Sequence, residues 1–253
     1  MSQHIAILLC AGYGTRMGAL TAETPKPLLP VAGKPMLDYL LEQLVELEGL
    51  EAIHVASNAH YAARFRDWAA GWAGRIGPEV TVHDNGSTSN DDRLGAIGDL
   101  DYVLRRIGPT AGALVAAGDN IYRFSLRPFW DAFRETGHSH VLGLEEKNVR
   151  KLRRTGVLEL ASDDRVVRLH EKPQQPPSTW ACPSLYCLGD AALARVAGYL
   201  AEGRSSDEIG RFAAYLAERQ PVFAFKTAGE RLHVGSPAAL AQAEEVLRQP
   251  TRA

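Results

Sequence analysis

The sequence predicts an α/β fold: a single domain with a mostly parallel central sheet and helices on both faces. Three observations carry this. Short apolar runs alternate with stretches of helical spacing through the first half of the chain. A glycine turn follows the first of those runs at once. The 253 residues, 45% apolar and 23% charged, suffice for one large core and are short for two.

His4 to Cys10 is the first expected strand, an unbroken apolar run after its leading histidine. Pro35 to Glu48 follows as a helix, with Pro35 in the first helical position, where its missing N–H costs nothing. Strands at Ala52 to Asn58, Val80 to Asp84 and Ala113 to Ala117 then alternate with helices at His60 to Ala73 and Leu94 to Ile107. Ligands of such sheets collect at the carboxyl ends of the strands. Gly12 stands there after the first strand and Asp119 after the fourth.

The second half is less regular. His138-x-His140 reads as a turn leading into a strand rather than a metal site. Thr155 to Leu160 and Val166 to Glu171, parted by Ser162-Asp163-Asp164, predict a hairpin. Ser184 to Leu188 and Val222 to Thr227 predict strands, and Asp190 to Ala201 and Asp207 to Glu218 amphipathic helices. Ser236-Pro237 caps a closing helix that runs to about Arg248.

Composition excludes several classes of function. A formal charge of -2 with no basic stripe argues against nucleic acid as the main partner. The one basic cluster, Lys147 to Arg154, is either a solvated loop or a binding patch. No apolar run approaches membrane-spanning length, and no leader is expected before the first strand. Cys10, Cys182 and Cys187 form no CxxC pair and no even disulfide set, which makes a reducing cytoplasm the default. The eight histidines show no zinc spacing.

The chemistry concentrates between Ile5 and Lys34. Gly12 and Gly14 clear space for a phosphate to approach backbone N–H groups, Arg16 offers a planar fork, and Lys26 a point charge. Two familiar glycine loops are excluded. A dinucleotide fingerprint needs its third glycine at 17, but Met17 precedes Gly18. A Walker loop ending at Gly33-Lys34 would need glycine at Leu28 and a hydroxyl at Pro35. The segment reads as a triphosphate grip, with a plain strand-to-helix turn as the competing reading.

Leu9-Cys10-Ala11-Gly12-Tyr13-Gly14-Thr15-Arg16-Met17, then Pro25-Lys26-Pro27-Leu28, then Gly33-Lys34-Pro35 resembles the opening of the superfamily that activates sugar 1-phosphates. That resemblance implies a Rossmann-like fold and transfer of a nucleoside monophosphate from a nucleoside triphosphate to a phosphorylated acceptor. It implies that Leu9, Ala11, Gly12, Gly14 and Thr15 hold the nucleotide and that Arg16, Lys26 and Asp119 carry the catalysis.

Gly118-Asp119-Asn120 extends the likeness. Asp119 would bind a catalytic magnesium ion, with manganese as an alternative, and Asn120 would shape the acceptor site. Gly156-Val157 and Glu171-Lys172-Pro173 match the acceptor hairpin of the same family. Gly156 would allow close approach, Glu171 meet a sugar hydroxyl and Lys172 bind the acceptor's phosphate; a surface ion pair is the plainer reading. His83 to Gly95 is where relatives read the base. Asn90 and Gly95 are the candidates there, and a capped helix start explains the polar cluster as well. His233-Val234-Gly235-Ser236 stands where the family carries aspartate as a second metal ligand.

Three functions follow: a sugar-1-phosphate nucleotidylyltransferase, a cytidylyltransferase using a phosphocholine- or phosphonate-like acceptor boxed by Trp180 and Tyr186, or a non-catalytic sugar-nucleotide sensor. The base, the acceptor and a possible homo-oligomer stay open.

Overall fold

The computed structural model describes residues 3–248. From β1 (His4–Leu9) the chain passes through 3-10 turns at Thr15–Thr21 and Lys26–Leu28 into a two-residue ladder, β2 (Pro30–Val31) with β3 (Lys34–Pro35). Then come α1 (Met36–Leu44), β4 (Leu50–Ser57), α2 (Ala62–Trp72), β5 (Glu79–Asp84), α3 (Ala96–Ile107), β6 (Gly112–Ala117), β7 (Asn120–Tyr122), α4 (Arg127–Thr136) and β8 (Ser139–Glu145). The rest is α5 (Val149–Leu152), β9 (Gly156–Leu160), β10 (Val166–Glu171), β11 (Trp180–Cys182), β12 (Leu185–Gly189), α6 (Asp190–Leu193), α7 (Val196–Ala201), α8 (Ile209–Ala217), β13 (Val222–Thr227), β14 (Arg231–His233) and α9 (Pro237–Arg248).

One large sheet runs β10-β9-β11-β8-β12-β6-β1-β4-β5, with β13 beside β8. Its β6-β1-β4-β5 part is parallel. Ile5, Ala6, Ile7 and Leu8 are all buried, because a parallel strand covered on both faces must be apolar throughout. β12 is antiparallel to β6 and β8, and the β9–β10 hairpin, pairing Gly156 with Glu171, closes one edge. The chain steps from β1 to β4 and β5, then returns to β6 on the other flank of β1. That reversal opens a crevice beyond the carboxyl ends of β1 and β6.

Several boundaries differ from expectation. Pro35 precedes α1 and pairs with Pro30, so it is not the first helical residue, and α1 ends at Leu44 rather than Glu48. α3 begins at Ala96 because Gly95 sits at φ 80, outside helical space. The helix expected over 190–201 breaks into α6 and α7, since Arg195 N bonds to Ala192 O, three residues back. α4, which buries Phe129, Trp130 and Phe133, has no counterpart in the sequence reading. The basic cluster 147–154 is not a plain loop: it holds α5, capped by the Asn148 side chain.

On adjacent strands β4 and β5, His54 Nδ1 lies 3.0 Å from His83 Nε2. Burial, with His83 beside it, takes the His54 imidazole from its ordinary 6.5 to about 4. Burial, with Arg106 nearby, also lowers His83. Both rings are therefore neutral in the fold but protonate in the unfolded chain below about pH 6.5. Stability from this pair is full above that pH and is lost as pH falls toward 4. Melting temperatures from pH 7.5 to 4 should fall several degrees further in the native protein than in His54→Gln. Parallel curves would remove the pair as the cause.

Candidate active site

The glycine turn is held from below. Gly14 adopts φ 62, and a Cβ there would lie 3.0 Å from Thr21 Cγ2. Thr21 Oγ1 donates to Gly14 O at 3.1 Å. Past the end of β4, buried Asn58 donates to Ala11 O at 2.8 Å, and Tyr61 Oη donates to Thr21 O at 2.5 Å. These two braces were not read from the sequence. Gly12 faces open space, as a phosphate approach requires. Leu9 ends β1, Ala11 is buried beside it, and Arg16 stands exposed on the 3-10 turn.

Beside the turn is a cavity of about 380 Å³ whose lining includes Tyr13, Thr15, Thr21, His60, Thr88 and Asn90. Thr15 and Asn90, far apart in sequence, thus meet at one cavity. Gly95 does not line it: a Cβ there would come within 2.6 Å of Ser206 O, which accepts from Ile97 N at 2.8 Å. Nor does the polar cluster cap α3. Asp92 instead accepts from the N–H groups of Thr88, at 3.0 Å, and Ser89, at 2.7 Å, and these hold its carboxyl at about 2.

Asp119 is the centre of the second group. Lys26 Nζ lies 2.5 Å from its Oδ2, Asn120 Nδ2 2.9 Å from its Oδ1, and His233 Nδ1 3.7 Å from Oδ1. The β7–β14 ladder sets His233 opposite Asn120, and Val234 N donates to Asp119 O at 3.1 Å. A Cβ on Gly118 would fall 2.5 Å from Cys10 Sγ and 3.1 Å from Pro27 Cγ, so the ends of β1 and β6 and the proline-flanked lysine can only pack this closely around glycine. Burial would raise the Asp119 carboxyl, but Lys26, His233 and Arg231 outweigh it and hold it below the ordinary range. Burial, together with the cations Arg231, Lys26 and Arg16, lowers His233 despite Asp119, and the imidazole is neutral at pH 7. Arg231 was not among the expected site residues.

On the acceptor side, Gly156 lies against Leu169 and Glu171, whose carboxylate also presses on Gly210. Lys172 takes φ 47, unusual for a residue with a side chain. Its ammonium is already paired with Glu208 and lies 3.7 Å from Glu171. Glu208 also takes Arg211 at 2.6 Å. Cys182, opposite Gly156 in the ladder, lies in the fields of both Glu171 and Arg231, which links this hairpin to the Asp119 centre.

The strand order and the crevice at its switch point define an α/β protein with its ligand site at the carboxyl ends of the strands. The profile of the family described as Nucleotidyl transferase matches residues 5–249, and the chain belongs to that family. It is 25% identical to UTP–glucose-1-phosphate uridylyltransferase AglF of Haloferax volcanii, over 97% of each chain. It is 31% identical to glucose-1-phosphate thymidylyltransferase of an Actinoplanes species, over 76% of this chain and 59% of that one. The likeness to the bifunctional protein GlmU of Methanocaldococcus jannaschii, at 24% identity, covers 96% of this chain but spans about half (54%) of that protein. Among solved structures, UDP-glucose pyrophosphorylase complexed with UDP-glucose superposes with a TM-score of 0.80 at 18% identity, over 98% of this chain and 99% of that one. A putative glucose-1-phosphate thymidylyltransferase from Bacillus anthracis gives 0.78 at 20%, over 99% and 97%. These likenesses show a shared fold.

Proposed function

We propose that this protein transfers a nucleoside monophosphate from a nucleoside triphosphate to a sugar 1-phosphate, forming a nucleotide sugar and releasing pyrophosphate. The observation that carries the reading is the set of Lys26, Asp119 and His233 at the carboxyl ends of β1 and β6, beside the glycine turn that bears Arg16. The whole chain acts in this reading as one domain. No described helix is long and apolar enough to cross a membrane, and three buried free thiols suit a reducing cytoplasm.

An oxygen of the acceptor phosphate attacks the α-phosphorus in line. The bond from that phosphorus to the bridging oxygen breaks, and pyrophosphate leaves with the electron pair. A phosphate monoester is mostly dianionic at neutral pH, so no protein base is needed. The protein positions the groups and offsets charge. Arg16 and the loop N–H groups face the leaving pyrophosphate, while Lys26 and Lys172 neutralise the entering phosphate.

Among the described residues no three His, Cys, Asp or Glu side chains gather as a metal cage. One carboxylate nevertheless fits a magnesium ion that takes its other oxygens from phosphates. Asp119 would hold it, with manganese as a second choice, and the ion would offset phosphate charge.

Trp180 carries Lys226 over its ring at 5.4 Å, and Tyr186 is 2% exposed, which leaves no open aromatic box for a quaternary ammonium. Pyrophosphate release that requires both a nucleoside triphosphate and a sugar 1-phosphate tests the proposal. Release with neither sugar 1-phosphate nor any other acceptor would refute it. Lys172→Ala should raise the acceptor's KM at least tenfold and the nucleotide's by less than twofold; equal effects would place Lys172 outside the acceptor site.

A further inference from the structure

Arg231 has no part in the chemistry above. It lies two residues before His233 on β14, so strand alternation puts both side chains on one face. Its Nη1 donates to Asn120 Oδ1 at 3.1 Å, and Asn120 in turn donates to Asp119. The ion pair of this centre joins Lys26 to Asp119, with the His233 ring 3.7 Å from the same carboxylate; among the described residues no ion pair involves Arg231. A half-buried guanidinium thus keeps most of its five donors free.

Beside it is a second unsatisfied group. The Tyr122 hydroxyl is buried without a hydrogen-bond partner among the described residues, in the field of Arg231, Asp119 and Cys182. Buried donors left unpaired cost free energy until an acceptor reaches them. Arg231 and Tyr122 are cross-strand partners in the β7–β14 ladder, so both side chains stand on one face, and two donor groups there suit a compact anion with several oxygens. Arg231 acts on both Asp119 and Cys182, and Cys182 pairs with Gly156 of the acceptor hairpin.

We propose that Arg231, with the Tyr122 hydroxyl as a second donor, binds the phosphate of the acceptor. This rests on the nucleotidyl-transfer reading. Magnesium favours oxygen over imidazole, so the centre has one carboxylate with which to recruit such an ion, and Arg231 brings a fixed positive charge that needs none. A guanidinium also grips a phosphate in two places, which orients the attacking oxygen.

The test is a thermal-shift titration in EDTA with inorganic phosphate and, separately, pyrophosphate. The native protein should be stabilised saturably by phosphate. Arg231→Gln should raise the phosphate midpoint at least tenfold and the pyrophosphate midpoint less than twofold. Tyr122→Phe should raise the phosphate midpoint two- to fivefold. Arg231→Lys, which keeps the charge and loses the fork, should fall between native and Gln, and carries the test if the Gln variant does not fold. No saturable phosphate binding by the native protein, or an unchanged midpoint in the Arg231 variants, would overturn the assignment. Neither outcome depends on turnover. Robust pyrophosphate release with unchanged phosphate binding removes Arg231 alone, whereas binding through Arg231 without release from any substrate pair removes the proposed function alone.

Discussion

Asp119→Asn is expected to cut turnover about a thousandfold, the larger end of what one misplaced charge in a preorganised site costs. Asp119 is the carboxylate on which Lys26, Asn120 and His233 all converge, and the cations Lys26 and Arg231 keep it ionised against its burial. Asparagine keeps the shape and removes the charge that positions Lys26 and would hold a metal ion. His233→Ala should be far milder, about tenfold or less. At 3.7 Å the neutral imidazole is a neighbour of the carboxylate, and magnesium prefers oxygen to such a ligand. His233→Asp should be tolerated in magnesium, and manganese should support at least comparable turnover of the native protein. Steady-state rates in both metals decide this. A His233→Ala enzyme as dead as Asp119→Asn would end the account of a centre with one carboxylate.

Arg16→Ala should lose about a hundredfold or more in kcat. Its side chain is exposed on a turn whose backbone is fixed by Thr21, Asn58 and Tyr61, so the loop keeps its shape without it. Exposed positions of this kind change stability by about 0.5 kcal/mol or less. Kinetics and melting measured on one preparation separate the two effects. Near-native turnover would remove Arg16 from the pyrophosphate side.

Much of the centre was legible in the sequence because the information is local. Gly12, Gly14 and Arg16 lie within five residues, and Asp119 follows an apolar strand with only Gly118 between. The hairpin was legible for the same reason, as two alternating runs around a polar turn. What escaped depends on long-range register. Nothing near Asn58 or Tyr61 says that they brace a loop forty or more residues earlier. Arg231 reaches Asn120 only because β14 pairs with β7, across 111 residues, and neither strand exceeds three residues. Gly95 is expected near the base because it lies in the segment where relatives read it, but its close neighbour is Ser206. Lys172 is expected from the sequence to meet the acceptor's phosphate or to pair within its hairpin, yet Glu208 on a distant segment holds it first. An incoming phosphate must displace that carboxylate.

The most direct measurement uses a sugar 1-phosphate labelled with oxygen-18 at its non-bridging phosphate positions, reacted with an unlabelled nucleoside triphosphate and analysed by mass spectrometry. Attack by the acceptor phosphate on the α-phosphorus places all of the label in the nucleotide sugar and none in pyrophosphate. Label in pyrophosphate, or unlabelled nucleoside monophosphate with intact sugar 1-phosphate, would contradict nucleotidyl transfer at this site.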